Sequence, residues 1–156
     1  MSLGGGGGGR GGGELEELAQ ELEAIEQQRE ALEAEIQSLQ TQQTTIDEAV
    51  EAVDKLNSGD SVQVPLGGGA YVPAEVTDID EIVVELGGGY AAERDQDGAV
   101  DSLESKKDTI DDRIDELREE VAELESESDQ LEQRARQMQA QQMQQLQQQQ
   151  QQQQDE

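Results

Sequence analysis

The 156-residue chain has no cysteine, histidine, phenylalanine or tryptophan. Without cysteine there is no disulfide and no thiolate chemistry. Without histidine as well, the usual zinc sites and nucleophile–base pairs cannot be built. Tyr71 and Tyr90 are its only aromatic residues. Because aromatic side chains supply much of the buried area of ordinary cores, the expectation is an elongated or assembled protein with no thick core of its own. Positive charge is scarce too, at 10 basic residues against 38 acidic ones, for a net charge of −28. Such a charge repels nucleic-acid phosphates and anionic membrane surfaces, so neither is an expected partner. It also strains the folded chain at low ionic strength, where repulsion reaches roughly 30 Å at 0.01 M salt but only about 3 Å at 1 M. A salty cytoplasm suits it. There is no run of about 18 apolar residues to span a bilayer, and the opening MSLGGGGGGRGGG lacks the apolar stretch of a secretory signal.

What is present falls into five stretches. Residues 1–13 are a glycine tract, flexible by composition and costly to hold as helix. From Glu14 a seam begins: Leu15, Leu18, Leu22, Ile25, Arg29, Leu32, Ile36, Leu39, Gln43, Ile46, Val50 and Val53 follow at alternating spacings of three and four. That is the a/d pattern of a coiled coil and predicts a helix over 14–57, stopped by Asn57-Ser58-Gly59-Asp60. A second seam of Val100, Leu103, Lys107, Ile110, Ile114, Leu117, Val121, Leu124, Ser128, Leu131, Ala135 and Met138 predicts a helix over 97–140, with Asp97 as its cap. The stretches Glu14–Leu56 and Gly98–Ala140 each hold 43 residues, and each is about 65 Å long as helix. Equal arms around a short centre imply an antiparallel hairpin.

The positions flanking the first seam carry acids, glutamine and alanine, whereas those of the second include Lys106, Arg113, Arg118 and Arg134. Pairing of unlike arms is therefore favoured, but the charges leave the register open. The polar seam residues Arg29, Gln43, Lys107 and Ser128 are either register pins or polar side chains tolerated in a thin seam. Residues 141–156 form a glutamine-rich tail, in which the helix either extends or frays.

The centre, 58–96, alternates with period two at Val62/Val64/Leu66, Val72/Ala74/Val76 and Ile82/Val84/Leu86, and Tyr90–Arg94 adds a fourth strand. Triplets Gly67-Gly68-Gly69 and Gly87-Gly88-Gly89 turn within two β-hairpins, with Thr77-Asp78-Ile79-Asp80 between them. Neither triplet leads into the Gly-Lys-Ser/Thr of a P-loop or into a helix as a dinucleotide site requires. So small a sheet does not bury a sufficient core alone, and with disulfides and metals excluded, oligomerisation remains. The two prolines, Pro65 and Pro73, are expected at edges or bulges.

Helix, two hairpins carrying VPLGGGAYVPAEV and IVVELGGGYAAER, then helix resembles the α class of prefoldin, over roughly residues 14–140. Val64-Pro65-Leu66-Gly67 and Gly89-Tyr90-Ala91-Ala92-Glu93 carry the likeness, and two hairpins rather than one fit the α class. The resemblance implies an α+β fold, a long antiparallel coiled-coil hairpin whose central β-hairpins join an oligomeric β-barrel. It implies two α with four β subunits, coils that hold unfolded polypeptides at their far ends, and transfer to a group II chaperonin, without ATP. Acid-rich versions resemble those of salt-loving archaea. Carried over, the assembly residues are Val62, Val64, Leu66, Tyr71, Val72, Val76, Ile82, Val84, Leu86 and Tyr90. The client-binding ends are Leu15, Leu18 and Leu22 on one arm and Leu131, Met138, Met143 and Leu146 on the other. The alternative for Leu15 to Leu22 is ordinary seam, closed against Leu131 and Met138. The glycine and glutamine tracts are not family motifs.

The expected function is that of a holdase subunit and not an enzyme, with no cofactor. The alternative is a structural coiled-coil tether or adaptor for a folded partner, which would need only a short turn at its centre.

Overall fold

The computed structural model describes residues 9–154, and of residues 9–11 the backbone alone. In chain order it contains helix α1 (Gly9–Lys55), strands β1 (Ser61–Gly67), β2 (Ala70–Glu75), β3 (Ile82–Gly87) and β4 (Tyr90–Arg94), and helix α2 (Gln96–Gln154). By contact it divides into two units, residues 1–36 with 116–156, and residues 37–115.

Both helices outrun the lengths their heptads define. α1 begins at Gly9, inside the tract whose composition argues against helix; residues 1–8 of that tract lie outside the described residues. α2 continues through the glutamines to Gln154. Extending an existing helix costs far less than nucleating one, and glutamine is a fair helix former, so the strong seams carry the weaker ends with them.

In the first unit, Arg29 of α1 reaches Glu125 of α2 at 3.8 Å, and Leu18 shares a hollow with Arg134 and Met138. The two segments therefore run antiparallel. Leu18, Ile25 and Leu117 are its buried apolar residues. The remaining seam positions from Leu15 to Ile36 and from Val121 to Met138 are half-buried, and the positions between them are exposed. A two-helix seam has no second layer to close over it, so partial burial is its normal condition.

In the second unit the helix segments are again antiparallel, because Lys107 pairs with Asp47 and Gln43 bonds to Asp111. The numbers 29 with 125, 43 with 111 and 47 with 107 each sum to 154, which supplies the register that the flanking charges leave open. Ile46, Ile114, Val84 and Ala99 are buried here. The last carbonyls of α1 do not go unpaired: the Gln96 side chain, at the start of α2, donates to Val53 O at 2.7 Å and Leu56 O at 3.1 Å.

The cap of α2 is Asp95 and not Asp97. Asp95 Oδ1 accepts from the Gly98 N–H at 2.7 Å, and its carbonyl accepts from Ala99 N at 2.8 Å. The helix starts one residue before Asp97, which places that carboxylate in the first turn, where the helix dipole still favours it.

The strands form two separate antiparallel pairs, β1 with β2 and β3 with β4. Their turns match in geometry. Gly67 faces Ala70, and Gly87 faces Tyr90, each after a register shift at the preceding leucine. All three glycines of both triplets have positive φ, between 61° and 98°. A bulge followed by a tight two-residue turn demands three successive left-handed residues, a conformation that costs an L side chain roughly 1–2 kcal/mol at each position. Pro65 and Pro73 sit opposite Tyr71 and Gln63, two pairs apart and so in the same alternate set of the ladder. A residue with no N–H to give fits the set that points away from its partner.

Substitutions at glycine therefore act in opposite directions in the two settings. Gly68→Ala forces a side chain into the left-handed region and should lower stability by about 1–2 kcal/mol. Gly12→Ala, in helix with open space where its Cβ would lie, should raise it by up to about 1 kcal/mol. Denaturant unfolding of the full-length chain in high salt measures both.

Candidate assembly face and helix ends

Each hairpin has one face of apolar residues, and the two faces are used differently. On β3–β4, Val84 is 5% exposed and Ile82 and Ala92 are half-buried, so this face is already covered within the chain. Val83, on the opposite face, is 64% exposed. On β1–β2, Val62, Ala74 and Val76 are half-buried near the strand ends, while the cross-strand pair Val64 and Val72 is largely open. Leu66, Tyr71, Leu86 and Tyr90 gather at the turns and are exposed as well, Tyr90 to 76%. A lone two-stranded hairpin is marginal in water, and an open apolar face with unpaired strand edges is where another chain can complete the sheet.

Of the expected assembly residues, Val64, Leu66, Tyr71, Val72, Leu86 and Tyr90 are thus open, whereas Val84 is spent internally and Val62, Val76 and Ile82 partly so. Strict alternation passes over Val83. Its signal was the run Ile82-Val83-Val84, which puts a β-branched residue where a one-faced strand would place a polar one.

The link between the hairpins is held rather than loose. Gly59 N donates to Val76 O at 2.7 Å, Val76 N to Asp60 O at 2.8 Å, and Ile79 N to the Ser58 hydroxyl at 2.9 Å. Asp78 Oδ1 accepts from Asp80 N at 2.9 Å, fixing the turn between β2 and β3.

The helix ends separate the expected client-contacting residues into two groups. Leu15, Leu18, Leu22, Leu131 and Met138 lie in the seam, buried or half-buried. Met143 and Leu146 do not: they are 66% and 57% exposed. The register explains the difference. Met138 lies by Leu18, and Leu15 is the first half-buried position of α1 among the described residues, so Met143 and Leu146 lie past the end of the described seam. The hollow of about 190 Å³ beside Met138 is edged by Glu14, Glu17 and Glu21 and by Arg134.

Two polar layers interrupt the seams. In the first unit Arg29 bonds Glu26 at 2.7 Å, with Glu33 and Glu125 near, while its Nε makes no hydrogen bond. The hydrogen bond to Glu26 is the chief reason its guanidinium is held above its ordinary pKa. In the second unit Lys107 Nζ donates to both Asp47 oxygens, at 2.8 and 3.1 Å, and Gln43 donates to Asp111 and to Lys107 O. Its bond to Asp47 raises the Lys107 pKa. Such cross-helix polar partners penalise any slipped register, in which they would be lost. Among the described residues, no group of three or more His, Cys, Asp or Glu is arranged to hold a metal, and no helix is long and apolar enough to cross a membrane.

Two long helices that pair antiparallel within each unit, joined through two small hairpins of which one has an open apolar face, define a class of coiled-coil subunits, and comparison with known proteins supplies the family. The prefoldin subunit family matches residues 25–156. The chain is 66% identical over 110 residues to the prefoldin subunit alpha of Halobacterium salinarum, covering 70% of this chain and 69% of that protein. It is 63% identical over 97 residues to prefoldin subunit alpha of Haloarcula marismortui, covering 62% of this chain and 63% of that relative's length. A cryo-EM structure of filamentous prefoldin from Methanocaldococcus jannaschii superposes with a TM-score of 0.63 at 27% identity, over 70% of this chain and 93% of that one. The chain belongs to the prefoldin subunit family, a family of chaperones. Within it, the likeness is to alpha subunits of salt-loving archaea.

The Lys107–Asp47 pair gives a pH test of the second layer. Because the folded pKa of Lys107 is raised, its contribution is fully present below the ordinary lysine value of about 10.4 and fades as pH rises through the folded value. Lys107→Met should therefore be less stable than the parent at pH 8, with the gap closing above about pH 10.4. A gap that stays constant in denaturant titrations across that range would remove the charge from the explanation.

Proposed function

We propose that this chain is an ATP-independent holdase subunit. It assembles through its hairpins with β-class prefoldin subunits, two alpha with four beta, into a β-barrel platform. It grips unfolded polypeptides at the helix ends and passes them to a group II chaperonin, in the cytoplasm. The observation that carries the reading is the exposed apolar surface of the two hairpins: the open face of β1–β2, the turns and Val83. An acidic chain that leaves Val64, Val72, Val83 and both tyrosines in water has a partner for them.

Met143 and Leu146 are exposed on α2, past its last seam position, Met138. Methionine is flexible and polarisable, which suits contact with many unrelated sequences. Weak contacts from several such ends on one particle add up, since each later contact is intramolecular. Client release then needs no hydrolysis, because no single contact is strong. A tether for one folded partner would not call for four strands at the bend.

The test is made in molar KCl with a β-class partner. Wild-type chain should form a discrete hetero-oligomer by light scattering after size exclusion and suppress aggregation of a chemically denatured test protein. Val83→Asp should leave the helical signal intact and abolish the oligomer. Met143→Ser with Leu146→Ser should keep the oligomer and weaken suppression by about tenfold, the order expected when two exposed apolar side chains lose the partial burial that a bound client gives them. Full suppression by the second variant would remove these residues from client binding. Failure of wild type to form any oligomer would remove the platform.

A further inference from the structure

The two longest stretches without a charged residue are 61–74, the first hairpin with its turn, and 137–154, the end of α2. The second is 18 residues long in a chain of which 31% is charged. It holds 14 glutamines, two methionines, one leucine and one alanine. It is helical throughout, and from Gln139 onward every side chain but Gln142 is exposed. Met138 is half-buried in the seam, and the exposed apolar residues Met143 and Leu146 sit near the middle of the stretch, seven and ten residues past Arg136 and twelve and nine before Asp155. At about 1.5 Å per residue along a helix, both are about 10 Å or more from the nearest charges on their own helix. That is at least the Debye length of about 8–10 Å at 0.1–0.15 M salt.

We infer that residues 137–154 are a charge-blind docking segment for extended polypeptide backbone, letting a chain of net charge −28 hold acidic and basic clients alike. This rests on the holdase reading above and adds what kind of client the end selects, which is no kind by charge. Elsewhere the arms present carboxylates, which would turn away an acidic client and over-hold a basic one. Glutamine avoids both. Each carboxamide offers an acceptor and two donors, so it can answer both the N–H and the C=O groups of an unfolded backbone. Those bonds are neutral, so salt does not screen them as it screens ion pairs. Met143 and Leu146 supply the apolar contact, and the surrounding carboxamides accept whatever backbone lies over them. The occupant is thus an extended, non-native polypeptide. A nucleic acid or an anionic membrane would need the positive charge that this segment lacks.

The test places charge on the segment without changing its helix. Gln141, Gln145, Gln148 and Gln152, all exposed, are replaced together by Glu in one variant and by Lys in another; the three residues have similar helix propensities. Full-length chain in its assembled form is titrated against reduced α-lactalbumin, an acidic client, and reduced lysozyme, a basic one, as KCl is lowered from molar to about 0.15 M. Wild type should protect both with apparent affinities within about twofold of each other at every salt concentration. The Glu variant should lose roughly tenfold for the acidic client at low salt, and the Lys variant roughly tenfold for the basic one. Both differences should shrink at molar salt, as a few added charges acting within the Debye length require. Equal protection of both clients by the Glu variant at low salt, or charge discrimination by wild type, would overturn the inference and leave the holdase reading standing. So would end-to-end growth of client-free wild-type particles that the Glu variant abolishes, because the segment would then serve its own copies. Absence of protection by wild type with either client would remove the holdase reading itself, and this one with it.

Discussion

Apolar matter is rationed along this chain, and the a/d seam takes the first share. Every leucine and isoleucine from Leu15 to Ile46 and from Leu103 to Leu131 lies on that stripe, because burying it is the main reason for two helices this acidic to lie together. Burial in a two-helix seam is partial, so the stability gained per residue is modest and register has to be enforced by other means. The Arg29 and Gln43–Lys107 layers do this: a shifted pairing would strip Lys107 of Asp47 and Gln43 of Asp111. Such layers contribute little net stability, but they separate the native pairing from its neighbours.

The hairpins inherit what is left. Val84 closes onto the chain's own interior, and the open face of β1–β2, the turns and Val83 remain exposed. Two-stranded sheets of this size do not hold their own in water, so their geometry has to be imposed locally. The triplet glycines set the turns, and the Ser58, Asp60 and Asp78 bonds set the link between the hairpins. A surface prepared in this way before a partner arrives loses less entropy on association.

The far ends obey the opposite rule. Where the seam stops, charge stops too, and the helix continues through residues that neither pack nor repel. Hairpin and helix end coincide with the two longest uncharged stretches of the sequence. In a chain of this composition these two stretches are where the carboxylates, which elsewhere repel other acidic molecules, are missing.

The sequence by itself determined the helices, the hairpins and the antiparallel order of the arms. Period 3.5, period 2 and the glycine triplets are local patterns, and local patterns report the backbone that each segment prefers. The seam positions it marks, from Leu15 to Met138, are all buried or half-buried, but it passes over Ala99, which is fully buried where α2 begins. Register was beyond it, because several pairings of the flanking charges look alike until the Lys107–Asp47 contact is seen. So was the cap, where Asp95 and Asp97 are chemically equivalent and only the position of the first helical turn selects one. The division of Ile82, Val83 and Val84 between an inner and an outer face, and the exposure of Met143 and Leu146 as against the burial of Leu18, were likewise decided only by tertiary structure. Burial depends on what a distant part of the chain places opposite, and Met143 lies past Leu15, the first half-buried position of α1 among the described residues.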